Sequence, residues 1–361
     1  MRDESAGISS SLIPHPSSLR SAEEVLRQCL EPVILELFGG VPACGSSAIA
    51  AIHRKRFNLS TSYDTYIVTV HLTSGDEVKV FLKDFGVTVR PKDGAKQRRE
   101  REICVYRELF ADANLGTPRY YGSVLDESEG QLWLLLEYVE GTPVGYLDIG
   151  ESWARAAGAL GRLHGHFAEH SSGLCERDFL LHHQPSFFWS RAERAVRCVE
   201  QIAPQRAGQL TGILDGYDPI VAMMTSQPPT LLHGGCRTSN ILVKAGAAAA
   251  AGPVPGSDPS RVCIIDWEEA AYGSPVFDLA YLLDGIEFPT LDPLLDAYRH
   301  EALAYSISLP PKEEMKYLMD CFRLHMILDM LSRAVIKGYA ERDVAKLLGI
   351  GSHLSSIVSR R

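Results

Sequence analysis

The sequence has 361 residues, of which 45% are hydrophobic and 22% charged, enough for one large domain or two moderate lobes with hydrophobic cores. Its formal net charge of −9 argues against nucleic-acid binding, because phosphate backbones are bound by a surplus of clustered lysine and arginine. Residues 1–20 lack the apolar core of a signal peptide, and no later apolar run reaches the roughly 18 residues of a membrane span. The eight cysteines are scattered, so we expect a reduced, cytoplasmic protein without membrane contact.

The first part of the chain predicts a helix followed by β-strands. Ser21, two early glutamates and a later Gly-Gly pair are start and stop signals of a helix. The runs 65–72 and 77–83 are joined by Ser-Gly-Asp and predict antiparallel neighbours. A helical pattern from residue 95 to near Gly116 follows, and its basic residues are interpreted as a solvated face. A further strand, turn and strand are predicted before Gly141.

Beyond Gly141 the sequence predicts mainly helices, apart from residues 230–266. An Ala-rich amphipathic helix is predicted at 152–170, and several more at 191–215 and 291–350. The predicted organisation is a flexible tail at 1–20, a β-rich N-lobe at 21–140 that binds nucleotide, and a C-lobe at 141–361 with a flexible Ala/Gly/Pro insertion at 243–262.

Two charged residues of the N-terminal part are candidates for a phosphate site. Lys83 ends an apolar strand, where its side chain could reach across a cleft to phosphate oxygens. Glu102 on the following helix is a candidate ion-pair partner. Taken alone, each is better explained as an ordinary exposed position, because lysine and glutamate are mostly found on surfaces.

Two short segments of the C-terminal part carry further candidates. In HGGCRTSN, His233 and Gly234 form a tight turn after an apolar strand, and Asn240 precedes the next strand. In CIIDWEEA, Asp266 ends an apolar strand and Glu268 follows two residues later. Two carboxylates and an amide oxygen would suit an all-oxygen Mg²⁺ site, although Asp266 alone could instead cap a turn or helix.

Taken in order, these features resemble the aminoglycoside phosphotransferase and choline kinase family, which has a protein-kinase-like fold. The resemblance extends from about residue 40 to the C-terminus. It is strongest at 231–243, which is similar to the His-Gly-Asp loop that ends on Asn, and at 263–283, which is similar to the Asp-x-(Asp/Glu)…Asp-Leu-Ala segment. The resemblance implies an α+β, bilobal fold, with a small β-rich N-lobe containing one main helix and a larger, mostly helical C-lobe.

The resemblance also implies roles for individual residues and a nucleotide cofactor, ATP or GTP, with Mg²⁺. Lys83 would contact phosphate with Glu102 as its partner, Asn240 and Asp266 would bind metal with Glu268 as a helper, and Asp278 would hold the His233 turn. The backbone of Glu137 and Val139 would meet the base, and Ser60 and Ser62 would lie at the phosphates in place of a glycine-rich loop. Backbone amides and hydroxyls can cradle phosphate there.

One position departs from the family pattern. Gly235 stands where the family loop has its catalytic aspartate, which accepts the proton of the acceptor hydroxyl. Three explanations remain open: a pseudokinase that acts as a nucleotide or small-molecule sensor or scaffold, a substitute base such as Glu268 or Glu269, or an inactivating change in an ordinary kinase. We expect impaired transfer, because positioning and metal ions supply most of the rate of phosphoryl transfer.

The acceptor is expected to be the hydroxyl group of a small molecule, aminoglycoside- or choline-like, bound between residues 233–240 and the C-terminal helices. Acidic residues at Asp284, Glu287 and Asp292 would suit a cationic substrate, and they would equally suit an ordinary surface. The sequence does not distinguish between these alternatives.

Overall fold

The computed structural model describes residues 21–38, 48–57, 62–88, 92–111, 115–244, 261–286 and 289–360. The predicted tail at 1–20 and nearly all of the predicted insertion at 243–262 lie outside these ranges. Within them, strands dominate the N-terminal region and helices the C-terminal region, which confirms the predicted α+β class. Every described helix is too short or too polar to span a membrane, and the seven described cysteines are free.

The N-terminal region is built around one antiparallel sheet. Its elements are α1 (Ala22–Phe38), β1 (Ile49–Arg56), β2 (Tyr63–Leu72), β3 (Glu77–Thr88), α2 (Ala95–Cys104), a π-helical turn (Val105–Leu109), β4 (Tyr120–Asp126) and β5 (Gln131–Glu137). The strand order is β1-β2-β3-β5-β4, and β2 and β3 contain the predicted antiparallel neighbours 65–72 and 77–83. Lys83 therefore lies on the central strand, paired with Thr65 on one side and Leu134 on the other.

Helix α1 begins at the predicted signal and covers the sheet. The Ser21 hydroxyl accepts a hydrogen bond from the Glu24 N–H at 3.2 Å, and the Glu24 carboxylate accepts one from the Ser21 N–H at 2.8 Å, which forms a capping box. Leu26, Leu30 and Ile34, spaced four residues apart, are buried in one cluster with the side chains of β2 and β3. Each such buried side chain contributes roughly 1.5–3 kcal/mol, so this packing holds β3 in place.

The C-terminal region is mostly helical. Its helices are α3 (Glu151–Glu169), α4 (Ser171–Leu174), α5 (Pro185–Ile202), α6 (Ala207–Leu214), α7 (Tyr217–Thr225), α8 (Val276–Leu282), α9 (Leu291–Ala302), α10 (Lys312–Ser332), α11 (Ala334–Lys337) and α12 (Glu341–Val358). Its strands are β6 (Thr142–Pro143), β7 (Leu181–His182), β8 (Thr230–Leu232), β9 (Ile241–Val243), β10 (Val262–Ile264) and β11 (Ala271–Gly273). These helices confirm the helical patterns predicted at 152–170, 191–215 and 291–350.

The short strands form two small sheets that carry the candidate residues. One sheet has the order β10-β9-β6 and the other β7-β11-β8. Strands β9 and β10 are antiparallel, with Ile241 opposite Ile264, so the residue before β9 and the residues after β10 meet at one edge. The predicted lobe boundary at residues 140 and 141 falls between β5 and β6 and stays a prediction.

Candidate functional site

Lys83 lies at the centre of the candidate site. Its ammonium nitrogen is 2.6 Å from Glu102 Oε2 and 2.7 Å from Asp266 Oδ1, and the whole residue is 7% exposed. The three residues come from β3, from α2 and from the segment after β10, so the site joins the N-terminal and C-terminal regions. A buried ion triad of this kind needs every charge to be compensated, because an unpaired buried charge is strongly unfavourable.

The charges of the triad are set by burial and by mutual attraction. Burial opposes the charge of Lys83, but the carboxylates of Asp266 and Glu102 outweigh it and raise the pKa of Lys83. Burial also acts to raise the pKa of Asp266, yet the Lys83 ammonium dominates and lowers it to about 2. Burial raises the pKa of Glu102 to about 7 in spite of Lys83. Asp266 is thus the more readily ionised of the two carboxylates.

Asp266 also has an unusual backbone conformation. Its φ of 69° lies in the left-handed region, where few residues other than glycine are found and where aspartate is among the better tolerated. Such conformations cost about 1–3 kcal/mol and cluster at functional sites. The conformation marks Asp266 as a candidate that the rest of the fold holds in place.

Asn240 and Glu268 lie on either side of Asp266. The Ile265 N–H donates to the Asn240 carbonyl at 2.9 Å, which brings Asn240 next to Asp266. Carboxylate oxygens of Glu102, Asp266 and Glu268 lie within 4.8 Å of one another, close enough to ligate one metal ion. Glu268 is already ion-paired with Lys92, so Asn240 and Asp266 are the ligand candidates with fewer competing cations.

The His233 turn is held by Asp278, in the place that the resemblance implies. Asp278 Oδ2 accepts from the His233 N–H at 2.6 Å and Oδ1 accepts from the Gly234 N–H at 3.0 Å. His164 Nε2 lies 3.2 Å from Asp278 Oδ2, and its Nδ1 lies 2.9 Å from the Tyr298 hydroxyl. The Asp278 carboxylate, fully buried, is thus satisfied by donors from three directions, which makes the turn rigid.

The His233 side chain ties the turn to the segment before Asp266. His233 Nε2 lies 2.8 Å from the Ile265 carbonyl, and the Gly235 N–H lies 3.3 Å from His233 Nδ1. This pattern requires the tautomer with the proton on Nε2. Because both ring nitrogens have backbone partners and the ring lies 4.8 Å from that of Trp267, His233 positions the turn.

Gly235 is half-buried and has room for a side chain. A Cβ atom built on it would lie 3.8 Å from Glu269 Cγ and 3.9 Å from Glu269 Cβ, both ordinary van der Waals distances. Its carbonyl accepts hydrogen bonds from the Arg237 N–H at 2.7 Å and from Asn240 Nδ2 at 3.4 Å. The loop therefore has room for a larger side chain at position 235, and Glu269 is its nearest neighbour there.

The predicted base-binding segment follows β5. The Glu137 N–H donates to the Arg119 carbonyl at 2.9 Å, and the Glu137 side chain is ion-paired with Arg261 at 2.7 Å. Among the residues that the structure describes, the Val139 N–H donates to no protein acceptor. Ser62 is half-buried just before β2, whereas Ser60 lies outside the described residues.

The basic stretch after residue 90 is solvated only in part: the Lys96 side chain is 65% exposed, but the prediction is wrong for Lys92, Arg98 and Arg101. Lys92 and Arg98 both contact the Glu268 carboxylate, Arg98 at 3.4 Å, and Arg98 also pairs with Glu269. Arg101 Nη1 donates to the Glu268 carbonyl at 2.7 Å. The side chains of Lys92 and Arg98 are only 18% and 13% exposed, because these acceptors face α2. Residues 98, 101 and 102 are three and four positions apart, so they lie on one face of α2. This spacing is a signal for a buried face, but the many charged residues favoured a solvated one.

The acidic residues suggested for a cationic acceptor are engaged elsewhere. Asp292 pairs with Lys316 at 2.7 Å, and Asp284 lies 3.6 Å from Arg323, while Glu287 is outside the described residues. Asp284 lines a cavity of about 740 Å³ between the turn after α8 and helices α10 and α12, and no residue of the 233–240 loop lines it. Asp284 therefore lines a cavity apart from the 233–240 loop, and Asp292 is paired with a lysine.

Comparison with known proteins supports the same architecture. Residues 66–315, more than half of the chain, match the phosphotransferase enzyme family. No curated protein matches the sequence. Similar solved structures include three that are 15–16% identical to this chain. These likenesses establish the fold, which is the bilobal, protein-kinase-like α+β fold.

The first of these structures is macrolide 2'-phosphotransferase from Brachybacterium faecium, with a TM-score of 0.54. The match covers 88% of this chain and 97% of that chain. A GDP complex of aminoglycoside 2'-phosphotransferase IIIa has a TM-score of 0.55, with 91% and 97% covered. A microcompartment-associated aminopropanol kinase has a TM-score of 0.53, with 91% and 96% covered. From the family match over residues 66–315 and this fold, the chain belongs to the phosphotransferase enzyme family.

Proposed function

We propose that the protein transfers the terminal phosphoryl group of ATP or GTP, with Mg²⁺, to a hydroxyl group of a small molecule, and does so slowly. The observation that carries the proposal is the contact of the Lys83 ammonium with both Glu102 and Asp266. This arrangement places one cation, held at a fixed position, beside one ionised carboxylate that is 38% exposed. Family membership supports the reaction class, a small-molecule kinase.

The nucleotide would lie between the sheet and the 233–240 loop. Lys83 would contact its phosphates, and the half-buried Ser62 would lie at the same end of the site. At the other end, the Glu137 carbonyl and the Val139 N–H would meet the base, because the Glu137 N–H is already used by Arg119. Lysine and backbone donors are the usual partners of nucleotide phosphates and bases in this reaction class.

The residues present fit a magnesium ion. Asn240 and Asp266 offer amide and carboxylate oxygens at one edge of the β9–β10 pair, and Mg²⁺ prefers oxygen ligands. Glu268 is the less available third candidate because Lys92 and Arg98 bind its carboxylate. When bound, the metal would neutralise charge on the transferring phosphoryl group.

The slow rate follows from position 235. A general base is worth roughly a hundredfold to ten-thousandfold, and glycine supplies none. The remaining residues still position and neutralise the phosphates, which is the larger part of catalysis in phosphoryl transfer. We therefore expect residual transfer to a matched hydroxyl compound.

A second candidate function is a pseudokinase that binds nucleotide without transfer. The arrangement of Glu269, the carboxylate nearest to Gly235, favours this alternative. Arg98 pairs with Glu269, and Arg333 Nη1 lies 3.6 Å from its Oε1. A carboxylate held by two guanidinium groups is a poor substitute base, because both favour its ionised form.

Nucleotide binding to the full chain tests the proposal. We expect ATP or GTP with Mg²⁺ to raise the melting temperature, since a ligand at about 100 times its Kd stabilises the folded state by about 2.7 kcal/mol. Lys83→Met and Asp266→Asn should reduce the shift strongly, whereas Lys96→Met, a lysine whose side chain is 65% exposed on α2, should leave it unchanged. No shift with either nucleotide at millimolar concentration would contradict both candidate functions. A shift without phosphate transfer to any hydroxyl compound would favour the pseudokinase.

A further inference from the structure

Five arginines from four separate parts of the chain gather beside Gly235. We call them the arginine cluster: Arg98 and Arg101 on α2, Arg191 on α5, Arg237 two residues after Gly235, and Arg333 immediately after α10. None of these arginines is among the site residues that were expected from the sequence. Arg98 and Arg333 contact Glu269, the residue nearest to position 235, so an acceptor at Gly235 would lie near them.

Glu269 connects the cluster to the loop. Its Cγ lies 3.8 Å from the position of a Cβ on Gly235, and its carboxylate pairs with Arg98 and, at 3.6 Å, with Arg333. Arg191 Nε lies 3.2 Å from Asp329 Oδ1, and Arg333 binds the other oxygen of the same carboxylate. The guanidinium groups of Arg98, Arg191 and Arg333 are thus linked through two carboxylates within reach of the loop.

The positive charge of the cluster exceeds the negative charge that contacts it. Among the described residues, the carboxylates paired with its members are Glu268, Glu269 and Asp329, three against five arginines. Arg101 donates only to backbone carbonyls, those of Phe179 and Glu268. Arg237 has no ion-pair partner among the described residues, is exposed, and lies 5.9 Å from the centre of the Tyr281 ring.

The arginines also repel one another. Burial lowers the pKa of Arg191, and the charges of Arg98 and Arg194 lower it further. Burial likewise lowers the pKa of Arg333, with Arg98 and Arg191 adding to the effect. Arginine stays protonated, so these shifts express mainly the free-energy cost of burying the guanidinium groups, to which the neighbouring arginines add and which Glu269 partly offsets. A bound anion would relieve this repulsion.

We propose that the acceptor of this phosphotransferase is an anionic hydroxyl compound, one that carries a carboxylate or a phosphate group bound by the arginine cluster. The inference rests on the proposed function and specifies its substrate class. It differs from the expectation of a cationic acceptor, since Asp284 and Asp292 are occupied by Arg323 and Lys316. Guanidinium forks bind carboxylate and phosphate with two parallel hydrogen bonds, which lysine cannot do.

The geometry suits such a ligand better than a purely structural ion network. A structural network would be expected to balance its charges, whereas this one leaves Arg237 without an ion-pair partner among the described residues and holds Arg333, which pairs with Asp329, at 3.6 Å from Glu269, longer than a good hydrogen bond. Donors that are poorly satisfied beside a site are available to a ligand. An anion held by the cluster would lie near Gly235, because Glu269 contacts Arg98 and also lies 3.8 Å from the Cβ position of residue 235.

The test uses the full chain with Mg²⁺ and a non-hydrolysable ATP analogue, which fills the nucleotide site first. Calorimetry then measures binding of inorganic phosphate, glycerate, glycerol 3-phosphate, 1-amino-2-propanol and kanamycin. The first three probes are anions, and glycerate and glycerol 3-phosphate separate carboxylate from phosphate recognition. The last two probes are cations at neutral pH.

Two substitutions remove one guanidinium each while keeping the fold. Arg191→Gln and Arg333→Gln both leave Asp329 with its other arginine partner, so neither strands a buried charge. Arg162→Gln is the matched control, since Arg162 on α3 pairs with Glu301 at 3.0 Å, outside the cluster. Arg333→Lys keeps the charge but loses the fork, and melting temperatures verify that every variant is folded.

We expect at least one anionic hydroxyl probe to bind, with its Kd raised about tenfold or more by Arg191→Gln and Arg333→Gln, less by Arg333→Lys, and not by Arg162→Gln. Binding of only the cationic probes would overturn the inference. Anion binding that is equal in all variants would overturn it too, as would failure of every acceptor probe while the ATP analogue still binds. Failure of the analogue itself would instead remove the proposed function.

Discussion

At the scale of single residues, the two adjacent glycines of the loop have opposite requirements. Gly234 has a φ of 76°, and a Cβ atom on it would lie 1.9 Å from the Glu269 carbonyl oxygen, so only glycine fits. Gly235 has no positive φ, and a Cβ atom there would meet nothing closer than 3.8 Å. The backbone therefore does not explain glycine at position 235, and the fold does not require it there.

Gly235→Asp is predicted to restore the general base. The new side chain fits beside Glu269, so the melting temperature should change little, and transfer to a matched hydroxyl compound should rise by roughly a hundredfold to ten-thousandfold. Initial rates of product formation, measured by mass spectrometry with saturating ATP and Mg²⁺, check this. The panel of anionic acceptors defined above supplies the substrates.

Two control substitutions make this result interpretable. Gly235→Asn has nearly the same shape without a basic oxygen and should leave the rate close to that of the unmodified chain. Gly234→Ala should destabilise the loop, since its Cβ would overlap the Glu269 backbone. An equal rise in rate for Gly235→Asn would mean that side-chain bulk, not the base, is what position 235 lacks.

The sequence predicts some of the site residues well and others not at all. Asn240 and Asp266 flank the short apolar strands β9 and β10, whereas Lys83 lies within β3 and not at the strand end that was predicted. The order of the motifs along the chain was enough to single out these three candidates. Glu269, Arg191 and Arg333 come from the loop after β10, from α5 and from the end of α10, and nothing in a single sequence pairs such distant positions. Nothing in the sequence predicted the left-handed backbone conformation of Asp266 either.

At the scale of secondary structure elements, the close contact between α3 and α9 supports the site from behind. A Cβ atom on Gly161 in α3 would lie 2.4 Å from the Tyr298 carbonyl oxygen in α9, so the two backbones approach too closely for any side chain. One turn further along α3, His164 contacts both the Tyr298 hydroxyl and Asp278. The helix contact is therefore coupled to the carboxylate that holds the His233 turn.

Gly161→Ala is predicted to destabilise the protein by about 1–3 kcal/mol, because overpacking forces the two helices apart. The same change at Gly349, which has no atom within 4 Å of its Cβ position in α12, should stabilise it by roughly 0.5–1 kcal/mol through helix propensity. Chemical denaturation followed by circular dichroism measures both. Opposite signs are the expected outcome, and a Gly161→Ala protein as stable as the unmodified chain would show that α9 moves aside freely.

The elements themselves were more predictable than their packing. The β2–β3 hairpin and α1 were predicted because their signals are local: a polar turn between apolar runs, and a capping serine with spaced leucines. Helix α2 was predicted to continue to near Gly116, yet it gives way to a π-helical turn at Val105–Leu109. The face of α2 that is buried is set by contacts with Glu268 and Glu269, which are far away in sequence, so the local pattern of α2 could not predict it.

At the scale of the whole molecule, four cationic side chains of the N-terminal region contact one short segment of the C-terminal region, residues 266–269. Lys83 contacts Asp266, and Lys92 contacts Glu268. Arg98 contacts both Glu268 and Glu269, and Arg101 donates to the Glu268 carbonyl. The fold class followed from the order of motifs along the chain, since that order is specific to the kinase-like arrangement. The acceptor class did not follow, because it depends on side chains assembled from several helices.

Arg101 gives a direct measure of how strongly the two regions are joined. It is 8% exposed, its Nη1 donates to the Glu268 carbonyl at 2.7 Å, and its Nε donates to the Phe179 carbonyl at 2.9 Å. Arg101→Met keeps much of the side-chain volume but removes both donors, leaving two buried carbonyls with fewer partners. We expect a loss of about 1–3 kcal/mol in the free energy of unfolding.

The control is Arg107→Met on the following turn, where the arginine is 49% exposed and pairs with Glu108, so a change within about 0.5 kcal/mol is expected. Urea unfolding followed by tryptophan fluorescence reports on both regions, because Trp133 lies in the N-terminal sheet and Trp267 directly follows Asp266. If the Arg101 contacts join the regions, Arg101→Met should also broaden the transition or split it in two. An Arg101→Met protein that unfolds like the Arg107→Met control would mean that the remaining ion pairs of Lys83, Lys92 and Arg98 hold the regions together without it.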